Sequence, residues 1–349
     1  MSFLIYGANG YTGKLIIETA IQKGLRPVIA GRTENKIKPL AKEFGLEYLV
    51  FDLDNVSEVA KHLEKFPLVL NCAGPFSKTA KPMVEACLLS KTKYLDITGE
   101  IGVFELVKSY HKKAVEKQIL LMPGVGFDVV PTDCVASLLH AKLPDATHLE
   151  LAFMNLGGGL SHGTVSTIIE NLGSGGAIRE NGKIISKPIG HKGKWIDFGK
   201  KKRFAMTIPW GDVSTAFHTT GIPNIEVYSA TPKSTYNLMK FQFLFNPLLR
   251  TNFVKRLIQK SVDKKISGPT KDQNEKGRSL VWGMAENATG KIVEARLETP
   301  AGYLLTAEMA IHITQKILAS NTNFGYHTPA GLFGHKLILE IAGTNFVGE

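Results

Sequence analysis

The sequence predicts an α/β protein with an N-terminal doubly wound parallel sheet and a second α+β domain built on a mostly antiparallel sheet. Short apolar runs of strand type alternate with helical patterns as far as about residue 125. Three glycines follow the first run, where the first helix begins. Beyond Pro131 the helical spacing gives way to longer strand-like segments. Together these observations predict two domains of different architecture.

The first domain opens with a strand over FLIY, residues 3–6, and a helix over GKLIIETAIQKG that stops at Gly24. Five further strands are expected, in PVIAGR, EYLVFDL, LVLNCAG, KYLDITG and QILLMPGVG. Four further helices are expected, in TENKIKPLAKEFG with Thr33 as its N-cap, 56–66, KPMVEACLLSK and 104–117. Helical connections of this length require right-handed crossovers, so the strands should be parallel.

The second domain shows longer strand-like segments in HLELAFMN, KRFAMTIPW and NIEVYSA, and a strand running into a helix in KIVEARLETPAGYLLTAEMAI. We therefore expect a nucleotide-binding domain over 1–127 and a substrate or dimerisation domain over 128–324. The apolar C-terminal segment, about 325–349, is expected to pack back on the first domain.

Composition bounds the class of protein. Hydrophobic residues at 44% and charged residues at 21% lie near globular averages, which excludes a disordered or disulfide-dense chain. No apolar run is long enough to span a bilayer and no basic leader precedes the first strand, so a cytosolic location is expected. The three cysteines form no CxxC pair and suggest no metal site; they are expected to be reduced, and only Cys72 lies in a ligand motif.

The net charge of +11 is concentrated in two places. Residues 187–203 carry seven basic residues against one acid, and residues 233–278 carry eleven against three. Such local excess indicates a face turned toward anions, or else a pair of solvated lysine-rich surfaces.

Within residues 236–265, a basic amphipathic helix follows an aromatic stretch, FQFLFNPLL. One helical face carries Phe253, Val254, Leu257, Ile258 and Val262, and the remainder carries Lys255, Arg256, Lys260, Lys264 and Lys265. This pattern is typical of peripheral contact with a membrane surface. The segment could equally pack on the sheet or on a second subunit, which would make a homodimer. Nucleic acid is not expected as a partner, because no nucleic-acid-binding motif accompanies the charge.

The glycine loop, GANGYTG, places Gly7, Gly10 and Gly13 between the first strand and the first helix. Glycines there let the backbone approach a pyrophosphate and direct helix amides toward it. The spacing is GxxGxxG rather than GxGxxG, so the position of the loop in a series of βα units carries the prediction. The alternative is a turn that serves packing alone.

The second strand ends in IAGRT, with Arg32 where NAD-binding folds usually place an acid. A guanidinium there can pair with a 2′-phosphate, which favours NADP(H) over NAD(H), and Lys36 could assist. Asp52 closes the third strand at the expected adenine rim. Small residues in NCAGPF, 71–76, close the fourth strand and would let a nicotinamide lie against the backbone.

With GANGYTG, AGR, NCAGPF, YLDITGE and GVGFDVVPTD in this order, the chain resembles the saccharopine dehydrogenase-like oxidoreductase family, in the branch that includes trans-acting enoyl reductases of lipid biosynthesis. SHGTVST, PWGDVSTAFHTTGIPN and HTPAG extend the resemblance over most of the chain. It implies a nicotinamide-dependent reductase with an N-terminal Rossmann domain and a substrate domain, and a cleft between them.

The resemblance also implies site residues. The cofactor motifs fall on Gly7, Asn9, Gly10, Tyr11, Thr12, Gly13, Arg32, Asp52, Asn71, Ala73, Gly74, Pro75 and Phe76. Asp96, Thr98, Gly99 and Glu100 would neighbour the nicotinamide, and Gly126, Asp128, Pro131 and Asp133 would mark the crossing between domains. Glu100, Asp128, Pro131, Ser161, Thr164 and Trp210 are the expected substrate contacts. Phe127, Val129 and Val130 depart from the pattern of that branch.

No single residue is identified as the proton donor; the candidates are Asp96, Glu100, Asp212 and His218, each of which could instead be structural. YNLMK, with Tyr236 and Lys240, matches the YxxxK pair of short-chain dehydrogenases but lies outside the first domain. We expect an NADP(H)-dependent oxidoreductase that reduces a C=C, C=O or C=N group of an apolar or lipid-like substrate. The alternatives are an NADP(H)-binding sensor or scaffold that docks through residues 233–278, and a saccharopine-type amino-acid dehydrogenase.

Overall fold

The computed structural model describes residues 2–157, 159, 161–265, 268–319 and 323–348, with the side chains of 262–265 left out. It divides the chain into two compact units. The first unit comprises residues 1–128 and 303–329, and the second comprises 129–302 and 330–349.

Residues 1–128 alternate between strands and helices, except that two helices connect β5 and β6. The strands are β1 (Leu4–Tyr6), β2 (Val28–Gly31), β3 (Tyr48–Val50), β4 (Leu68–Asn71), β5 (Lys93–Asp96) and β6 (Leu120–Met122). The helices are α1 (Tyr11–Gln22), α2 (Glu34–Phe44), α3 (Val56–Leu63), α4 (Phe76–Ser90), α5 (Ile101–Ser109) and α6 (His111–Lys117).

Residues 129–302 contain seven helices and eight strands in the described ranges. The helices are α7 (Val130–Lys142), α8 (His162–Glu170), α9 (Asp212–Thr220), α10 (Lys233–Met239), α11 (Gln242–Leu249), α12 (Asn252–Lys265) and α13 (Lys271–Lys276). The strands are β7 (Ala146–Leu156), β8 (Gly176–Glu180), β9 (Lys183–Lys187), β10 (Gly193–Asp197), β11 (Lys202–Thr207), β12 (Asn224–Ala230), β13 (Arg278–Asn287) and β14 (Ile292–Pro300).

The C-terminal part completes both units. Its elements are α14 (Gly302–Leu318), β15 (Gly325–Tyr326), α15 (Pro329–Phe333), a 3-10 helix (His335–Glu340) and β16 (Asn345–Phe346). Helix α14 and strand β15 lie in the first unit, and the elements after Pro329 lie in the second. No helix in the described ranges is long and apolar enough to cross a bilayer.

The sheet of the first unit has the order β15-β6-β5-β4-β1-β2-β3, and its paired strands are all parallel. The order reverses between β1 and β4, as in doubly wound folds, so the carboxyl ends of these two strands flank a crevice. Buried apolar residues from the strands and α4 form the core, among them Leu4, Val69, Tyr94, Leu121 and Met83. The predicted parallel sheet is confirmed.

The sheet of the second unit runs β10-β11-β12-β7-β13-β14-β16, with β8 attached to β12 and β9 paired to β8. Its paired strands are antiparallel except for β12 and β7, which are parallel. One apolar cluster includes Met154, Phe198, Tyr228, Leu280 and Trp282. The predicted α+β domain with a mostly antiparallel sheet is therefore confirmed.

Three local features differ from the sequence-based prediction. The expected helix over 104–117 is two helices, α5 and α6, that meet at Tyr110. Strand β13 was not predicted, because Gly283 interrupts its apolar run. Thr33 occupies the N-cap position of α2, but its side chain makes no capping hydrogen bond.

The division of the C-terminal part also differs from the expected one. The segment that returns to the first unit is 303–329, whereas residues 330–349 stay with the second unit. Two contacts explain the return. The main-chain amide of Phe127 donates to Oγ1 of Thr306 at 3.0 Å, and β15 pairs with β6. Neither pairing has a local sequence signal.

Gly283 shows how closely α7 packs on the second sheet. A Cβ at position 283 would lie 2.5 Å from Cγ1 of Val135 and 2.8 Å from Cδ1 of Leu139. We expect Gly283→Ala to lower the free energy of unfolding by about 1–3 kcal/mol, because the added methyl group overpacks this contact. Denaturant unfolding measures the change.

Gly102→Ala is the matched control, because Gly102 lies inside α5 with no neighbouring side chain within 4 Å of its added Cβ. That change should leave stability unchanged or raise it by about 0.5–1 kcal/mol. Equal destabilisation by both changes would contradict the packing described for α7.

Candidate functional site at the carboxyl edge of the parallel sheet

The glycine loop lies between β1 and α1. Its backbone is tied to the neighbouring strands, since the amide of Gly7 donates to the carbonyl of Ala30 at 2.9 Å and the amide of Cys72 donates to the carbonyl of Tyr6 at 2.8 Å. Gly7 has a φ of +78°, and a Cβ there would lie 2.6 Å from the amide nitrogen of Ala73. A Cβ at Gly13 would lie 2.8 Å from the carbonyl oxygen of Ala8. The fold itself therefore requires glycine at positions 7 and 13.

Gly10 is different. Its φ of −71° is open to any residue, and among the described atoms an added Cβ would approach the carbonyl oxygen of Gly7 alone, at 3.4 Å. Gly10 is the N-cap of α1, offers no side-chain cap to the first helical turn, and is followed by a first turn without an acid. The amides of a first turn have no acceptor within the helix, so this end of α1 is suited to an anion. Packing alone does not explain glycine here.

Arg32 follows β2 directly and is exposed. The pKa of the buried Tyr6 phenol is raised to about 12, mainly by burial. The negative charges of Asp52 and Asp54 raise it further, and the positive charge of Arg32 lowers it. The ends of β1, β2 and β3 therefore gather at one place, with Arg32 and Asp52 beside the Tyr6 ring. Lys36 lies in the first turn of α2 and is also exposed.

The loop after β4, NCAGPF, is held by the buried side chain of Asn71. Its Oδ1 accepts from the amide of Ala73 at 3.1 Å, and its Nδ2 donates to Oγ1 of Thr79 at 3.3 Å. Thr79 in turn donates to the carbonyl of Ala73 at 2.6 Å. The loop continues through exposed Gly74 and a cis peptide bond to Pro75, and Phe76 begins α4. Burial raises the pKa of the Cys72 thiol, which keeps this side chain neutral.

Asp96 at the end of β5 is fully buried and accepts three hydrogen bonds. They come from the hydroxyl of Tyr94 at 2.6 Å, the amide of Thr98 at 2.9 Å and the amide of Gly124 at 2.9 Å. Burial raises the pKa of Asp96 to about 6, and the three donors oppose this shift. Asp96 was a catalytic candidate, and that role stays a prediction; in the structure its hydrogen bonds join the loops after β5 and β6.

Glu100, the second candidate in this unit, binds the start of α4. Its Oε1 accepts from the amide of Phe76 at 2.8 Å and its Oε2 from the amide of Ser77 at 3.2 Å. Its own amide donates to the hydroxyl of Thr98 at 3.1 Å. These contacts tie the β5 loop to the NCAGPF loop and place a negative charge at a helix N-terminus, where it is favoured.

Asp128 also lies at this edge, but its carboxyl group does not join loops through hydrogen bonds in the described chain. It is half-buried and packs against Gly99: a Cβ at position 99 would lie 2.9 Å from its Oδ2. Burial raises the pKa of Asp128 to about 7, and no hydrogen bond to its carboxyl oxygens is found within the described residues. The sequence placed Asp128 among the substrate contacts. A carboxyl group with such a pKa can exchange a proton near neutral pH.

Helix α14 supplies residues that the sequence did not predict. The methyl group of Thr306 lies 2.7 Å from where a Cβ on Gly126 would be, and the Thr306 hydroxyl accepts from the amide of Phe127. The ring of Tyr303 meets that of Tyr11 edge-on, with centroids 5.1 Å apart. The turn that carries Asp128 and the glycine loop are thus both braced by a helix from much later in the chain.

The other predicted site residues lie in the second unit. Asp212 is buried at the first position of α9, and His218 is half-buried on the same helix. Asp133 on α7 accepts from the hydroxyl of Thr219 at 2.8 Å, which joins α7 to α9. Pro131 is buried in the first turn of α7. The roles predicted for Asp212, His218 and Pro131 stay predictions.

Ser161 is the N-cap of α8, where its Oγ accepts from the amide of Thr164 at 3.2 Å. The ring of Trp210 packs against Phe153 with centroids 4.7 Å apart. The indole nitrogen of Trp210 is buried and has no acceptor in the described part of the chain, so it could donate to a ligand. In the YNLMK segment, Nζ of Lys240 lies 5.0 Å above the ring of Tyr236, which itself packs on Phe204.

A cavity of about 530 Å³ lies at the opposite edge of the first sheet, at the amino ends of β2 and β3. Its lining includes Arg26, Lys61 and Lys65. None of the predicted motifs borders it, and ligands of doubly wound folds bind at the carboxyl ends of the strands. The candidate site is therefore the carboxyl edge.

The residues of this edge match a known family. Residues 3–122 match the model of the saccharopine dehydrogenase NADP binding domain. This part of the chain is therefore similar to that family. The predicted resemblance and the predicted nicotinamide cofactor are confirmed, since the matched model describes an NADP binding domain.

Curated relatives extend the similarity. The chain is 26% identical over 204 residues to a saccharopine dehydrogenase-like oxidoreductase of Rattus norvegicus, covering 51% of this chain and 47% of the relative. It is 28% identical over 163 residues to a trans-acting enoyl reductase of Mycobacterium ulcerans, covering 44% of this chain and 38% of the relative. The matches thus span about half the length of these relatives or less.

A solved structure shares the fold. The apo saccharopine dehydrogenase (L-Glu forming) of Saccharomyces cerevisiae superposes with a TM-score of 0.65 at 11% identity, covering 99% of this chain and 100% of that chain. This saccharopine dehydrogenase fold unites a parallel-sheet unit and a mixed-sheet unit like those described above.

The residues at the edge fit NADP(H). The uncapped N-terminus of α1 offers amides to a pyrophosphate, and Gly10 leaves room for it. Arg32 and Lys36 offer positive charge at the end of β2, where a 2′-phosphate would be recognised. The Asn71 loop and Gly99 present backbone without bulky side chains at the next two strand ends. In the described ranges, no cluster of His, Cys, Asp or Glu could hold a metal ion.

Substitutions at Gly7 and Gly10 distinguish a glycine needed for folding from a glycine needed for cofactor binding. We expect Gly10→Ala to change the free energy of unfolding by less than about 1 kcal/mol, since its backbone and surroundings accept a methyl group. NADPH affinity should fall about tenfold or more, because the methyl group occupies the approach to the first-turn amides. Nicotinamide fluorescence titration measures the affinity.

Gly7→Ala serves as the contrasting variant, and it should lose stability because of its positive φ and the contact with Ala73. Unchanged NADPH binding by a stable Gly10→Ala protein would mean that this glycine has no part in the cofactor site.

The raised pKa of Asp128 makes stability depend on pH. A folded-state pKa of about 7 lies above the ordinary value of about 3.9, so the folded state keeps a proton that the unfolded state releases. The stabilisation is therefore complete below about pH 4 and is lost as the pH rises to about 7. We expect Asp128→Asn to raise the free energy of unfolding by roughly 1–4 kcal/mol at pH 8 and to change it little at pH 4. Urea unfolding at both pH values measures this.

Asp54→Asn is the control, because that carboxylate is exposed on the turn after β3. It should shift stability equally little at both pH values. A stability gain by Asp128→Asn that is the same at pH 4 and pH 8 would contradict the titration assigned to Asp128.

Proposed function

We propose that the protein is an NADP(H)-dependent oxidoreductase that reduces a C=C, C=O or C=N bond of an apolar, lipid-like substrate. The observation that carries the proposal is the division of labour among the carboxyl groups at the edge of the parallel sheet. Asp96 and Glu100 hold the loops of the proposed nucleotide site, and Asp128 next to them has no hydrogen-bond partner in the described chain and a pKa that burial raises to about 7.

The chain's own residues would bind and orient the cofactor. The first-turn amides of α1 would bind the pyrophosphate, and Arg32 with Lys36 would bind a 2′-phosphate. The Asn71 loop and Gly99 would present flat backbone to the nicotinamide. NADPH, when bound, supplies the hydride for such a reduction.

Asp128 is the group that we assign to proton transfer. Reduction of a polar double bond adds a proton to the atom that takes up the negative charge, and a carboxyl group with a pKa of about 7 can give one at neutral pH. The packing of its Oδ2 on Gly99 fixes the position of the carboxyl group. Asp96, which accepts from the amides of two loops and from the hydroxyl of Tyr94 in β5, would act only by positioning the loops.

The preference for an apolar substrate has two supports. One relative carries the name of a trans-acting enoyl reductase, an activity on a C=C bond. The saccharopine-type alternative needs cationic groups for several substrate carboxylates, but buried Arg179 is committed to the carbonyls of Val213 and Gly182, at 2.7 Å and 2.6 Å. Its guanidinium also stacks on Phe217.

Arg32 provides the first test. We expect the protein to bind NADPH at least about tenfold more tightly than NADH, a difference of about 1.4 kcal/mol. Arg32→Ala should abolish this preference and leave NADH binding nearly unchanged, because the guanidinium would contact only the 2′-phosphate. Titration followed by nicotinamide fluorescence gives both constants.

Arg26→Ala is the matched control, since Arg26 is also exposed and lies at the other end of the same strand. Loss of the preference in both variants would point to general electrostatics instead of a 2′-phosphate site. If neither nucleotide binds the wild type, the oxidoreductase proposal fails. Tight NADPH binding with no NADPH oxidation across long-chain enones, ketones and imines would favour the sensor or scaffold alternative.

A further inference from the structure

The second unit carries a patch of exposed apolar side chains on α10, α11 and α12, within residues 233–260. Seven large apolar side chains there are 53% to 71% exposed: Leu238, Phe241, Phe243, Leu244, Leu248, Phe253 and Leu257. In the rest of the described chain, only Leu89 and Trp195 reach that exposure, and they lie apart in sequence and in different units. A concentration of this kind on a folded surface marks an interaction site.

Polar side chains hold the patch on the body of the second unit. Gln242 is buried and exchanges hydrogen bonds with the backbone of Ile189, at 2.7 Å and 3.1 Å. Arg250 donates to the carbonyl of Gly173 at 2.6 Å, and Lys255 donates to that of Glu170 at 2.5 Å. Gln259 donates to Oγ of Ser166 at 3.0 Å. These polar contacts act together with the half-buried apolar side chains of Phe245, Leu249, Val254 and Ile258 on the same helices.

The exposed side of these helices is unusually apolar. A surface helix of a water-soluble domain normally buries its apolar stripe and exposes its polar one. Here three phenylalanines and four leucines are exposed, in addition to the apolar side chains that are half-buried. The sequence alone predicted the apolar face of α12 but not which way it points. The Val262, Lys264 and Lys265 side chains, which belonged to that prediction, lie outside the described residues.

Charge selects among the surfaces that could cover the patch. Residues 233–260 contain six basic residues and no acid: Lys233, Lys240, Arg250, Lys255, Arg256 and Lys260. A second copy of the chain docked symmetrically on this patch would face the same positive charge, and such juxtaposition is unfavourable. An anionic phospholipid surface satisfies both features, because acyl chains accept the apolar residues and headgroups accept the lysines and arginines.

We infer that residues 233–260 dock the protein on the surface of an anionic phospholipid membrane. Phe243, Leu244 and Phe253 enter the boundary between headgroups and acyl chains, and exposed Arg256 and Lys260 contact the headgroups. This binding goes beyond the proposed function and does not depend on it, since the patch shares no residue with the nucleotide site. It would bring the protein to a lipid-like substrate.

Flotation with phospholipid vesicles tests the inference without any cofactor or substrate. The wild-type protein should float with vesicles of equal parts phosphatidylcholine and phosphatidylserine, and should stay behind with phosphatidylcholine alone. The triple variant Phe243→Gln/Leu244→Gln/Phe253→Gln should lose at least about tenfold of its binding, because three exposed apolar groups no longer insert. Arg256→Glu/Lys260→Glu should lose a similar factor on the anionic vesicles.

Matched controls change the same chemistry elsewhere. Leu89→Gln replaces an equally exposed leucine on α4, and Lys65→Glu/Lys112→Glu reverses two exposed lysines of the first unit. Both should float like the wild type. Each substituted position is exposed, so the variants should keep the wild-type circular dichroism and NADPH affinity.

Several outcomes would overturn the inference. One is a wild-type protein that does not bind anionic vesicles. Another is a triple variant that binds vesicles as well as the wild type, because the contact would then be purely electrostatic and the apolar side chains would not insert. A third is a wild-type oligomer that the triple variant converts to monomer while neither floats, because the patch would then be an interface between copies. Failure here would leave the NADPH titration and its interpretation unchanged.

Discussion

The carboxyl edge of the parallel sheet depends on one buried charge-bearing group, the side chain of Asp96. A carboxyl group with no exposed surface is unfavourable unless donors surround it, and this one collects the Tyr94 hydroxyl and the amides of Thr98 and Gly124. Those donors belong to β5, the loop after it and the loop after β6. Satisfying Asp96 therefore fixes two loops relative to each other. Glu100 then extends the same network to the start of α4, so that three strand ends are held as one rigid rim.

This rim explains how neighbouring carboxyl groups acquire different properties. The carboxyl oxygens of Asp96 and Glu100 accept hydrogen bonds from backbone amides, which stabilises the loops that carry those amides. Asp128 is half-buried but lacks such donors, and burial raises its pKa to about 7. A polar group without hydrogen-bond partners, surrounded by groups that have theirs, is typical of a functional position, since the stability of the surrounding structure offsets its unfavourable free energy.

The strands and helices of residues 3–122 could be predicted because their signals are local: apolar runs, helical spacing and glycine turns. The cofactor loop followed from the same signals. The roles of the carboxylates could not be predicted, because Glu100 binds the amide of Phe76 and Asp96 binds that of Gly124, 24 and 28 residues away, and tertiary folding chooses these partners. The bracing of the Asp128 turn by Thr306 spans 179 residues and leaves no trace in either local pattern. Strand β13 was not predicted because Gly283 interrupts the strand pattern in the sequence. The structure shows why glycine is there: α7 packs too closely on this position for a Cβ.

The return of residues 303–329 to the first unit has a consequence for biosynthesis. Strand β6 pairs with β5 on one side and with β15 on the other, and β15 is synthesised only after residues 129–302 of the second unit have been made. Until then the nascent sheet has an open edge at β6 and lacks α14, whose Thr306 holds the turn after it. Residues 1–128 therefore complete their sheet only after residues 303–329 have been made. A fragment that ends at residue 128 would expose a strand edge open to intermolecular pairing.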